Sequence, residues 1–195
     1  IDNAVNSILR RQLPNGGFNI YPQGPADVSA TVKAYFALKL AGLSSDDPRM
    51  VVARERILSL GGIQAANSYV KINLSLFDLY PRDLCPTIPP ELMLLPHQFI
   101  YQMSSWTRAI VVPLSIVHAM NPRRPVPEGF NLNELFIEGG AKWSWFKDRR
   151  YLTWRNIFLS LDRVGKVWEK YGSKGIRKKA IVRAEQWMLE RTKYS

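Results

Sequence analysis

QLPNGGFNIYPQGPADVSATVKAYFALKLAG, residues 12–42, decides how the chain reads. Pro14, Asn15, Gly16 and Gly17 break the pattern Ala4, Val5, Ile8, Leu9, which runs at helical spacing behind Asp2. A loop follows. Asp27 or Ser29 then opens a second helix, whose Val32, Tyr35, Phe36, Leu38 and Leu40 are stopped by Gly42. Such a turn has a physical logic: a glutamine amide at position 12 can satisfy terminal backbone groups, and the Phe18 ring can cover the turn.

The same grammar continues outward. Ser45 and Pro48 open a third helix that runs to Gly61 and Gly62, and a fourth begins near Asn67 with Tyr69, Ile72, Leu74, Leu76 and Phe77. Pro81 to Pro96 reads as an ordered connection, because Ile88 and Leu92 to Leu95 are too apolar for a flexible linker. Helices are expected from about Ser104 to Met120, Thr153 to Tyr171 and Lys174 to Arg191, with an irregular stretch from Pro122 to Gly140. Nothing reads as a strand pair. Helix hairpins in series without an exact period predict an all-α fold, an α/α toroid or a solenoid of paired helices.

The formal charge is +11, and 46% of the residues are apolar. Residues 142–193 hold fifteen Lys and Arg against five Asp and Glu, so the excess is concentrated in the last quarter. Charge alone separates neither nucleic acid from an anionic membrane nor one anionic partner from another. Cys85 is the only cysteine, which excludes an internal disulfide and favours a reducing compartment. His97 and His118 are too few for most zinc sites, so no metal is expected. No apolar run reaches the ~18 residues of a spanning helix, which leaves peripheral or monotopic membrane contact. Beginning at Ile1 without a leader pattern, the sequence reads as an excerpt or processed product.

Between Lys142 and Tyr171, Trp143, Trp145, Phe146, Tyr151, Trp154, Phe158, Trp168 and Tyr171 interleave with basic residues, a membrane-interface composition. Trp154, Ile157, Phe158, Leu161 and Val164 form a stripe at spacings of three and four. Residues 142–171, with Trp143, Trp145, Trp154 and Phe158, are the candidate membrane contact. An amphipathic helix packed on the rest of the fold is the competing explanation. No known RNA or DNA module is present, so nucleic acid is not the expected partner.

Gln12 to Phe18 resembles the Gln-x-x-x-Gly-x-Trp repeat of the triterpene cyclases, with Phe18 in the tryptophan position. Four further stretches resemble squalene-hopene cyclases in the family's order: Ile20 to Gly42, TIPPELMLLP (Thr87 to Pro96), SSWTRAIVVPLSIV (Ser104 to Val117) and PVPEGFNLNELF (Pro125 to Phe136). The resemblance covers essentially the whole chain. It implies part of the inserted α/α barrel of a two-barrel enzyme, here residues 1–195. The partner barrel, absent from this sequence, would supply the acid that protonates squalene or a related triterpene; a cofactor is not implied. The family's Asp-x-Asp-Asp motif has no counterpart, since Asp46-Asp47 reads as a helix start.

Trp106 matches a cavity-lining tryptophan, Tyr69 a cavity aromatic, and Met103 and Val111 positions that narrow the substrate entrance. Asn67, Asn73 and Lys33 align near a polar group at the far end of the cavity, where related cyclases often carry Arg, an aromatic residue and Glu. HQFIYQM (His97 to Met103) is about three residues shorter than the family's usual connection. Membrane association on the cytoplasmic side of a bacterial cell is the expected location, and a homodimer is compatible with the resemblance. A membrane-surface helical scaffold or regulatory module without catalysis is the alternative, needing only the basic aromatic segment.

Overall fold

Asp27, Asp47, Asn67 and Ser104 each turn a side-chain oxygen onto a backbone N–H two or three residues ahead: Ala30 at 2.8 Å, Arg49 at 2.9 Å, Val70 at 3.0 Å and Thr107 at 3.1 Å. These caps satisfy donors that a first helical turn leaves open, each worth about 1 kcal/mol. They fix where four helices start. The computed structural model describes residues 2–96, 99–138 and 154–193. Its α-helices are α1 (Asp2–Leu9), α2 (Val28–Leu40), α3 (Pro48–Ser59), α4 (Ser68–Leu76), α5 (Ser105–Met120), α6 (Trp154–Tyr171) and α7 (Lys174–Thr192). No strand occurs among the described residues, and the all-α expectation holds. Asp2 lies inside the first turn of α1 rather than before it.

The chain divides into two compact units, Ile1–Cys85 with Arg123–Trp143, and Pro86–Pro122 with Ser144–Ser195. In the first unit α2 is the centre: Val32, Tyr35 and Leu38 are buried, as are Met50, Ala53 and Ile57 of α3 and Val70, Ile72 and Leu74 of α4. A buried aliphatic side chain contributes roughly 1.5–3 kcal/mol, so the shared core outweighs any single cap.

The 12–18 turn is fastened to its neighbours. Gln12 Nε2 donates to the Gly16 carbonyl at 3.0 Å and to the Arg49 carbonyl, in the first turn of α3, at 2.8 Å. Thus the glutamine ties two helices together rather than closing the end of its own. Phe18 is 6% exposed, and its N–H donates to Thr31 Oγ1 on α2 at 3.0 Å. Gly16 has φ +80°, and a Cβ there would meet the Val52 carbonyl oxygen at 2.5 Å, which explains why this turn needs glycine.

The return stretch 123–138 lies along this unit. Gln64 and Ile137 exchange two hydrogen bonds, and Arg124 N–H donates to the Leu76 carbonyl at 2.8 Å. Lys39 Nζ, on α2, donates to Asn131 O at 2.6 Å and to Glu134 Oε1 at 2.5 Å, and Tyr35 donates to the same carboxylate oxygen at 3.0 Å. Burial would raise the Glu134 carboxyl, but hydrogen bonds from Lys39, its own backbone and Tyr35, with the Lys39 charge, hold it below the ordinary value. Burial, then the Glu134 charge, raises the Tyr35 hydroxyl.

In the second unit, α5 packs on α7 through a core of Ile100, Val112, Ala184 and Trp187, bordered by Met93, Ile116 and Met188. The proline-rich connection is ordered, with 3-10 turns at Arg82–Leu84 and Pro90–Leu94. Side-chain links join elements here: Asp162 Oδ1 accepts from Thr87 N–H, Glu91 pairs with Arg177 at 3.1 Å, and His118 lies 3.2 Å from Glu169.

Candidate functional site

The face that α5 turns toward α7 decides what its other side presents. Val112, Ser115 and His118 are buried, which leaves Trp106 77%, Ile110 39% and Met120 68% exposed. Three large apolar side chains therefore follow at positions of one helical face without a cover among the described residues of this unit. Trp106 stands in the first turn, just past the Ser104 cap.

The approach to that turn is clamped by Arg108. Its Nη1 donates to the carbonyls of Met103 at 2.6 Å and Tyr101 at 3.3 Å, while its guanidinium carbon sits 5.1 Å from the Tyr101 ring centroid. Arg191 of α7 approaches the same ring at 5.7 Å and donates to its hydroxyl at 3.0 Å. Two cations on one tyrosine fix the Phe99–Gln102 3-10 turn, and with it the backbone of Met103. Met103 and Val111 are both half-buried. The sequence pointed to Met103, Trp106 and Val111 but not to Arg108, whose role depends on partners on both sides of the turn.

Tyr69 belongs to the first unit, in the opening turn of α4, and is 52% exposed. Asn67 caps that helix and also donates its backbone N–H to Ser29 Oγ at 2.9 Å, so its carboxamide oxygen is already engaged. Lys33 is exposed on α2.

Trp143 and Trp145 lie outside the described residues; Trp154 and Phe158 are on α6, but their side chains lie outside what is described. The described part of α6 continues the stripe about two turns beyond Val164. Val164, Val167, Trp168 and Tyr171 are 67%, 59%, 40% and 74% exposed, and with Ser160 and Arg163 they line an apolar groove of about 610 Å³. Lys170 Nζ stands 5.3 Å from the Tyr171 ring centroid. The signal was in the sequence, since positions 164, 167, 168 and 171 extend the same spacing. A second apolar groove, about 530 Å³, runs between Pro86–Leu95 and α6. Gly165 lines it, and a Cβ there would come within 3.2 Å of Thr87 Cγ2.

Asp47 is not placed to act as an acid. Asp47 caps α3, and hydrogen bonds from the Arg49 side chain and backbone hold its carboxyl below the ordinary value, so it is an ionised carboxylate at neutral pH. Among the described residues no cluster of His, Cys, Asp or Glu is arranged to hold a metal ion. None of the described helices is long and apolar enough to cross a membrane.

The family model of the squalene-hopene cyclase N-terminal domain matches residues 1–195. A squalene-hopene cyclase of Zymomonas mobilis is 37% identical over 98% of this chain and 29% of that protein. One of Alicyclobacillus acidocaldarius is 35% identical over 94% of this chain and 29% of its own length. A dammaradiene synthase of Dryopteris crassirhizoma is 30% identical over 98% of this chain and 28% of its own. The chain thus spans about three-tenths of the length of these curated relatives.

Proposed function

The chain belongs to the squalene-hopene cyclase N-terminal domain family, and from that premise we propose that it is part of a triterpene cyclase that folds squalene and closes its rings through carbocations to hopanoids. The observation that carries the reading is Trp106, a large aromatic side chain 77% exposed on a helix whose opposite face is buried. An aromatic face stabilises a desolvated cation by about 0.5–2 kcal/mol without acting as a nucleophile that would quench it. Ile110 and Met120 supply apolar wall on the same helix, and apolar walls keep water from the cation; Tyr69, on α4 of the first unit, offers an aromatic face there. Met103 and Val111 narrow the entrance, with Arg108 holding the turn that carries Met103.

Protonation of the terminal double bond requires a carboxylic acid. No Asp-x-Asp-Asp motif occurs in these 195 residues, and Asp47 is held ionised. The acid therefore comes from a partner barrel beyond this sequence, and the 195 residues alone are inactive. Membrane contact belongs to α6 and the basic aromatic residues before it, at the cytoplasmic face of a bacterial membrane. Squalene is insoluble in water, so an entrance that opens onto the bilayer solves its delivery.

A non-catalytic membrane-surface module is the second reading, favoured by one observation: the α6 groove is apolar and exposed without reference to any cavity. Substituting Trp106→Ala in the longer protein separates the two. The cyclase reading expects squalene conversion to fall at least about tenfold, the loss of one cation contact of ~1.4 kcal/mol. The scaffold reading expects no squalene conversion before or after the change.

A further inference from the structure

Between α1 and α2 lies a cavity of about 620 Å³ lined by Ile8, Arg11, Phe18, Ile20, Tyr21, Lys33 and their neighbours. Its composition is divided. Ile20 and Tyr21 are 72% and 60% exposed, yet they sit on a fixed turn: Gly24 N–H donates to the Tyr21 carbonyl at 3.0 Å, Asn19 reaches the Gly24 carbonyl, and Gln23 takes φ +64°. Arg11 and Lys33 border the same space, and among the described residues no acidic one lines it. Asp27, the cap of α2, has one oxygen engaged by the Ala30 N–H at 2.8 Å.

A wholly apolar occupant would strip water from two cations and return nothing, and a small polar anion would leave the exposed ring and aliphatic chain wet. An anionic head on an apolar chain satisfies both halves. We infer that this cavity is a binding site for a single-chain anionic amphiphile, its head between Arg11 and Lys33 and its chain over Ile20, Tyr21, Ile8 and Phe18. The head is a carboxylate or a diphosphate; the chemistry shared by the two is an anion at the end of a hydrocarbon.

The test uses the 195-residue chain and dansylated undecanoic acid, with its methyl ester as the uncharged probe, read by fluorescence titration. The acid binds more tightly than the ester, and the preference weakens as salt is raised. Arg11→Gln with Lys33→Gln, both on exposed side chains, weakens the acid about tenfold and leaves the ester unchanged. Ile20→Ser weakens both probes, whereas Arg183→Gln, on an exposed position of α7, weakens neither. Palmitate and farnesyl diphosphate then compete for the site, and whichever displaces the probe at lower concentration identifies the head. Equal binding of acid and ester, an unchanged acid affinity in the double variant, or loss of binding only in Arg183→Gln overturns the inference.

Discussion

Replacing Lys39 by methionine removes the cation that pairs with Glu134 while keeping an unbranched side chain of similar length. Lys39 and Glu134 side chains are 9% and 23% exposed. Breaking a fully buried pair costs about 3–5 kcal/mol; with Glu134 partly wetted and Tyr35 still donating, a cost near 2 kcal/mol is expected at pH 7. The pH dependence carries the sign. In the wild type the Glu134 carboxyl lies below its ordinary value, so its contribution is present above the unfolded value of about 4.3 and is lost as pH falls through the folded one. In Lys39→Met burial dominates and the carboxyl rises, so protonation relieves the variant, and the deficit shrinks below about 1 kcal/mol near pH 3. Urea unfolding followed by circular dichroism at both pH values measures this. Adding Glu134→Gln recovers part of the loss. A deficit equal at pH 7 and pH 3, or strictly additive losses in the double variant, refutes the coupling.

Gly16→Ala places a Cβ against the Val52 carbonyl at positive φ and lowers stability by at least about 2 kcal/mol, measured by the same unfolding curves. Trp106→Ala in the 195-residue chain changes stability by less than about 0.5 kcal/mol, because the side chain is 77% exposed; a larger loss in thermal unfolding indicates that the ring is packed. Val167→Glu on the exposed α6 face lowers sedimentation with vesicles of mixed neutral and anionic lipid several-fold without shifting the melting temperature. Unchanged sedimentation would refute membrane contact through this face.

What could be seen in the sequence was local. Asp27, Asp47, Asn67 and the Ser104–Met120 helix are legible because a capping oxygen and its N–H lie within three residues of each other. The partner of Gln12 was not, since Arg49 is 37 residues away. Nor was the Lys39–Glu134 pair: a lysine near the end of an apolar helix and a glutamate in an irregular stretch give no sign that packing brings them together across 95 positions. Among the site residues, Trp106 carries no periodic signal that separates a lining ring from a core ring; its exposure follows only once Val112, Ser115 and His118 are seen to take the buried side. Asn67 shows the reverse, a position that resemblance puts near a polar group and whose oxygen the helix start already occupies.

Squalene conversion, followed by gas chromatography of the products, tests the central claim when run in parallel on the 195-residue chain and on the longer protein that contains it. The account predicts polycyclic product from the longer protein and none from the chain alone. Turnover by the isolated chain would contradict the claim that the acid lies outside these residues, and no turnover by the longer protein would contradict the cyclase assignment itself.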